Sequence, residues 1–143
     1  MPPSIPNPFD PASWPRLFTP TEATALLPTL RPLLGRLQRR KAELDRERRR
    51  LSAITPAMRQ NGHVAAGMEL EQRVDTAARH VAEGIREIAG HGVELKDIDR
   101  GLVDFPSLRE GRVVYLCWLL GEERVGWWHE VEAGIAGRQP LEG

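Results

Sequence analysis

The chain has little cysteine and no long apolar run, and each shortage excludes a class of protein. A single cysteine among 143 residues excludes an internal disulfide, and no Cys/His cluster has the spacing of a structural zinc site. No apolar stretch approaches the roughly 18 residues that a membrane-spanning helix needs. The first residues also lack the basic start and apolar segment of a secretory signal, so we expect a cytoplasmic protein with no membrane span.

Charged residues balance over the whole chain but not along it. There are 20 basic and 20 acidic residues. Residues 36–50 contain eight Arg or Lys against three acids, whereas residues 92–143 contain six against ten. This polarity favours either a charged partner or the association of copies of the chain with one another.

The first part of the chain is rich in proline. Residues 1–18 contain six prolines, which predicts a flexible arm that is either mobile or draped over the surface. The stretch TPTEA, which starts at Thr19, supplies a threonine cap for a helix. Pro28 and Pro32 then predict a break or kink, so we expect a short first helix and a longer one from about Leu30.

Two helical patterns follow and have similar lengths. In the first, leucines recur every seven residues, at Leu30, Leu37, Leu44 and Leu51. In the second, over residues 64–89, apolar residues follow one helix face. Pro56 and the Asn61-Gly62 pair are typical of a loop between them. The sequence therefore predicts an antiparallel helical hairpin over residues 19–91.

The periodicity changes after Gly92. Four short segments are rich in β-branched and aromatic residues and are separated by turn signals: VELKDI, GLVDF, RVVYLCWLL and RVGWWHEV. Short links indicate antiparallel pairing. The predicted class is α+β, with a helical hairpin followed by a four-stranded antiparallel β-meander, and residues 19–143 as one folded domain whose sheet and tail occupy 92–143.

A tight turn at Glu122-Glu123 sets the predicted pairing of the last two strands. Trp118 then faces Trp127, and these two rings are expected in the core against the helices. The other face retains aromatic and sulfur side chains with charged margins, which is typical of a partner or dimer surface. We therefore predict a homo-oligomer, with a protein partner as a further possibility. The candidate binding residues are Tyr115, Cys117, Trp128, Glu130 and Arg138.

Several long motifs resemble one known family. They are FTPTEATALLPTLRPLL, ELKDIDRGLVDFPSLREGRVVYLCWLLGE and WWHEVEAGIAGRQPL, and they span about residues 18–141. This pattern is similar to that of a prokaryotic family catalogued as domain of unknown function 2203, some of whose members carry a division initiation label. The resemblance implies a shared fold, and it implies no activity, substrate or cofactor.

A histidine and two aspartates form the candidate catalytic or metal site. With the predicted register, His129 lies at the level of the turn that contains Asp97 and Asp99, and this set could hold a metal ion. Asp104 is expected on the opposite face. The alternative is a satisfied structural histidine, with the aspartates making turn hydrogen bonds. No cofactor is strongly implied.

The basic stretch is the candidate nucleic-acid surface. Three acids interleave with it and no aromatic residue is present for base stacking, so an intrahelical ion-pair lattice is favoured over phosphate binding. The residues concerned are Arg39, Arg40, Lys41, Arg48, Arg49 and Arg50. The leading hypothesis is a small interaction protein that self-associates, with a link to cell division suggested by the label alone. A metal-assisted enzyme and a nucleic-acid-binding protein are the alternatives.

Overall fold

The computed structural model describes residues 5–54, 56–58, 60, 62 and 64–142. Their class is α+β, as predicted, and the sheet has five antiparallel strands in the order β1 to β5, where four were expected. The fifth strand comes from the tail. The α-helices and strands are α1 (Pro20–Ser52), α2 (Pro56–Met58), α3 (Val64–Ala89), β1 (Glu94–Asp97), β2 (Leu102–Arg109), β3 (Arg112–Leu119), β4 (Trp127–Glu130) and β5 (Gln139–Pro140).

The chain forms two compact units. One comprises the residues up to Leu34 together with those from Ile88 onward, and the other is Gly35–Glu87. The first contains the sheet, the start of α1 and the N-terminal segment. None of the helices in the described ranges is sufficiently long and apolar to cross a membrane.

In the second unit, α1 and α3 run antiparallel. The guanidinium of Arg40 donates a hydrogen bond to the carbonyl of His80 at 3.0 Å, and a Cβ added at Gly84 would lie 3.0 Å from the side chain of Leu37. Leu37 lies beside Gly84 and Arg40 beside His80, so residue numbers rise along α1 where they fall along α3, and the two helices are antiparallel. Leu37 and Leu44, both from the predicted leucine seam, are buried.

The predicted break at Pro28 and Pro32 is wrong, because α1 is one helix from Pro20 to Ser52. Both prolines lie on its exposed side. Each proline removes one main-chain hydrogen bond, but buried neighbours such as Leu27 and Leu30 hold the helix by packing. Its start is capped as predicted, by reciprocal bonds of 2.8 and 3.1 Å between Thr19 and Glu22.

The predicted register of the last hairpin is wrong by one residue. The link between β3 and β4 is a seven-residue loop, 120–126, and not a tight turn. Glu122 organises this loop, because its carboxylate accepts from the Leu119 amide at 2.8 Å and its carbonyl accepts from the Trp118 indole at 2.9 Å. The observed pairs are Tyr115 with His129, Leu116 with Trp128, and Cys117 with Trp127.

This register exchanges the two faces for the whole of β4. The inner face lies toward the start of α1, where the guanidinium of Arg31 is 5.9 Å from the ring centre of Trp118. On the inner face are Phe105, Leu116, Trp118 and Trp128. On the opposite side, which we call the outer face, are Asp104, Tyr115, Cys117, Trp127 and His129.

Three of the predicted surface residues are buried. Tyr115 and Cys117 are fully covered and Trp128 is 8% exposed, so the expectation that they form an exposed patch is wrong. Trp127, predicted in the core, is half-buried on the outer face. Trp128 is buried because the observed register turns it to the inner face. Tyr115 is covered by the N-terminal segment, which packs on the outer face.

Replacing each tryptophan by alanine tests the register. We expect Trp128→Ala to cost about 3–5 kcal/mol, because removing a buried indole leaves a large cavity. Trp127→Ala should cost clearly less, because part of its ring already contacts solvent. Urea unfolding of the two variants measures this, and the reverse order would contradict the pairing of Leu116 with Trp128.

The leucine seam of the second unit is tested by a charge. Leu44→Asp should lower the free energy of unfolding by several kcal/mol, because Leu44 is 6% exposed and the carboxylate would be desolvated. Ala42→Asp is the control, since Ala42 is exposed on the same helix. Equal melting temperatures for the two variants would show that Leu44 is not packed.

Candidate metal centre

Three neighbouring strands each contribute one chemically active side chain to the outer face. Asp104 lies in β2 directly opposite Cys117 in β3, and His129 lies in β4 opposite Tyr115. Because side chains alternate along a strand, the shared register brings all three active groups to one place. Among the residues that the structure describes, Asp104, Cys117 and His129 form one group whose ligand atoms lie within 4.8 Å of one another.

The imidazole of His129 is held on both sides. Its Nδ1 lies 2.7 Å from the carbonyl oxygen of Glu130, and its Nε2 lies 3.1 Å from each carboxylate oxygen of Asp104. His129 and Asp104 are each 2% exposed, and Cys117 is fully buried. Protein groups alone therefore fix the orientation of the His129 ring, because almost no solvent reaches it.

Burial and hydrogen bonding act in opposite directions on this histidine. Burial alone would lower the pKa of His129, whereas hydrogen bonds to Asp104, to Cys117 and to the Glu130 carbonyl raise that pKa to about 10. Both ring nitrogens of His129 face oxygen acceptors, so in the absence of a metal ion both donate and the ring carries a positive charge beside Asp104. Such a pair is costly to bury unless its geometry is good.

The arrangement does not form a cysteine–histidine–aspartate relay. Such a relay needs the nucleophile on one ring nitrogen and the orienting carboxylate on the other. Here the carboxylate of Asp104 lies at Nε2, and the other ring nitrogen, Nδ1, faces the carbonyl of Glu130 and not a thiol. The buried thiol is also out of reach of a substrate.

The same geometry fits a metal ligand set. A histidine that binds a metal through Nε2 typically donates its Nδ1 proton to a carbonyl or carboxylate, as His129 does to Glu130. Imidazole, thiolate and carboxylate are the ligands that Zn²⁺ prefers. A tetrahedral ion with bonds of ~2.0 Å separates its ligand atoms by ~3.3 Å, which is close to the 3.1 Å between Nε2 and the Asp104 oxygens.

The predicted partners of His129 are not the ones that the fold brings to it. The carboxylate of Asp97 accepts from the Arg100 amide at 3.1 Å in the turn after β1, as the turn interpretation predicted. Asp99 is exposed and lies outside the cluster. The predicted register, which is wrong by one residue, places Asp104 on the face opposite His129, and it assigns Cys117 to a partner surface. The correct register of the β3–β4 hairpin would have placed Asp104, Cys117 and His129 on one face.

The two charged interface candidates are paired within the chain. Arg138 donates to the carboxylate of Glu122 at 2.7 Å and its guanidinium lies 4.4 Å from the ring centre of Trp127. Glu130 pairs with Arg112, which lowers the pKa of this carboxyl. Both side chains therefore have structural roles that need no partner molecule.

Acidic residues interrupt the basic stretch. Arg46 pairs with Glu43, and Arg50 pairs with Glu47 at 2.9 Å, each at helical spacing. Lys41 lies 3.4 Å from Asp45. This is the predicted ion-pair lattice, and it does not give the acid-free face that phosphate binding would favour.

A groove of about 850 Å³ lies beside Trp127. Its charged walls include Arg124, which pairs with Glu142 at 3.7 Å, and Arg109, whose guanidinium stacks 4.5 Å from the ring centre of Trp128. Charges of both signs line it, so it does not indicate one class of ligand.

Residues 16–141 match the model of a family described as an uncharacterised conserved protein, DUF2203. The chain belongs to this family. No curated protein and no solved structure matches it. All three residues of the cluster lie within the matched region of this DUF2203 protein, whereas Trp14 lies before it.

A double-mutant cycle measures the coupling within the cluster of the DUF2203 chain. Asp104→Ala should cost about 3–5 kcal/mol, because it leaves a buried imidazolium without its carboxylate. The double variant with His129→Ala should cost less than the sum of the two single changes. Urea unfolding in the presence of a chelator provides the values, and strictly additive costs would contradict a buried pair.

Proposed function

We propose that this protein binds Zn²⁺ through Asp104, Cys117 and His129. The observation that carries the proposal is the convergence of a carboxylate, a thiol and an imidazole in a solvent-free position, with Nδ1 of the imidazole already held by a carbonyl. The ion would replace the proton on Nε2 and the proton of the thiol.

The proposed site is structural. All three ligands are at most 2% exposed, which leaves no open path for a substrate. The ion would tie β2, β3 and β4 together, because each strand supplies one ligand. Three protein ligands and one open position are the pattern of catalytic Zn²⁺ sites, so it is the burial of the ligands, and not their number, that supports a structural role.

Metal binding is tested by stoichiometry, spectrum and stability. We expect the wild type to bind about one Zn²⁺ per chain and to gain ~2.7 kcal/mol of stability at a free concentration of 100 times Kd. Co²⁺ in its place should give a thiolate charge-transfer band. Cys117→Ala should abolish that band, and His129→Gln should weaken binding.

The control variant is Asp97→Asn. Asp97 lies in the turn outside the cluster, and asparagine keeps the acceptor for the Arg100 amide. Its metal content and stability should match the wild type. A wild-type protein that binds less than stoichiometric Zn²⁺, or equal binding by the wild type and Cys117→Ala, would overturn the proposal.

The other functional predictions from the sequence have less support. Tyr115 and Trp128 are buried within one chain, so they do not offer the exposed surface that self-association through them would need. A metal-assisted enzyme needs an open site, which the burial of the cluster does not offer. No contact or charge pattern among the described residues supports the link to cell division that the label suggests.

A further inference from the structure

Residues 5–18 cross the outer face between two main-chain hydrogen bonds. At one end, the carbonyl of Pro8 accepts from the Val113 amide at 2.8 Å, and at the other the Phe18 amide donates to the Pro106 carbonyl at 2.7 Å. Pairing of β3 with β4 stops at Val114 and pairing of β1 with β2 stops at Asp104. The segment therefore bonds to sheet groups just beyond the end of each pairing.

Trp14 anchors the middle of this segment. It is 7% exposed, and its ring centre lies 5.8 Å from that of Tyr115 in an edge-to-face contact. Its indole N–H donates to the carbonyl of Asn7 at 3.0 Å, which closes the segment on itself. Tyr115 is the cross-strand neighbour of His129, with ring centres 5.6 Å apart. The indole thus covers the residue adjacent to the cluster.

We propose that residues 5–18 form a strap, fastened by Trp14, that controls access to Asp104, Cys117 and His129. The strap is held by two main-chain bonds, by the bond from Arg16 to the His91 carbonyl at 2.8 Å, and by two buried rings, Trp14 against Tyr115 and Phe18 against Phe105. It has no continuous strand pairing, so its part around Trp14 should open at a lower free energy than the strands beneath it. Phe9, in the same segment, is 75% exposed and contributes little to this fastening.

Trp14 lies before residue 16, where the family match begins. Membership of DUF2203 therefore does not by itself predict the fastening of the strap by Trp14. Control of metal exchange by the strap rests on the proposed function, whereas control of access to the thiol does not.

The first test measures the reaction of Cys117 with a thiol reagent under native conditions. Trp14→Ala should react at least ~10-fold faster than the wild type, because local opening becomes more frequent. Phe9→Ala should react at the wild-type rate, and Trp14→Phe should restore most of the protection. A Trp14→Ala rate equal to that of Phe9→Ala would overturn the strap.

A second comparison separates local opening from general loss of stability. Leu37→Ala removes a buried side chain of the second unit, outside residues 5–18, and its thiol reactivity is compared with that of Trp14→Ala at matched free energies of unfolding. Faster reaction in Trp14→Ala supports the strap, and equal reaction overturns it.

Loss of Zn²⁺ to a chromogenic chelator then tests the metal part. Trp14→Ala should release the ion at least ~10-fold faster than Phe9→Ala. Equal release rates would overturn control of metal exchange by the strap. A wild type that binds no Zn²⁺ would remove the proposed function and this metal part together, while the thiol rates would still decide whether the strap gates the cluster.

Discussion

The imidazole of His129 lies between the carbonyl of Glu130 and the carboxylate of Asp104, at 2.7 and 3.1 Å, where almost no solvent reaches. Burying such a pair requires both partners to be held at the right distance, because an isolated charge in this position would cost several kcal/mol. The pairing of three strands supplies that distance. A slip of one residue in β4 would turn His129 to the inner face and place an indole against Asp104.

Both faces of the sheet help to hold this pairing. On the inner face, Trp118 and Trp128 fill the layer beneath α1, and the Trp118 indole is bonded to the loop that connects β3 to β4. On the outer face, Trp14 packs against Tyr115, whose ring in turn lies beside that of His129. The large aromatic side chains thus lie on both faces of the sheet, and on each face they exclude water.

The sequence predicts the class, the cap of α1, the leucine seam and the family, because these depend on local periodicity and on long motifs. It does not predict the site, because the site depends on which residue of β4 faces Cys117. The pattern WWHE is compatible with either face, since two adjacent tryptophans hide the alternation. The true loop depends on hydrogen bonds of Glu122 with Leu119 and Trp118, and these bonds leave no mark on composition or spacing.

The continuous helix α1 is a second feature that the sequence does not predict. Two prolines predict a break when only local bonding is considered, and packing of the buried side of the helix overrides that preference. The burial of Trp14 is a further case. A proline-rich segment with one tryptophan gives no periodic signal, so its docking on Tyr115 could be recognised only once the strands were placed.

The hydrogen bond between Pro8 and Val113 joins residues that are 105 positions apart (113 minus 8). During synthesis, the strap leaves the ribosome long before the strands on which it docks. Closing so large a loop is slow compared with pairing adjacent strands. Strands β2, β3 and β4 can therefore pair before residues 5–18 dock on Tyr115, and a newly made chain at that stage would have the proposed site without its strap.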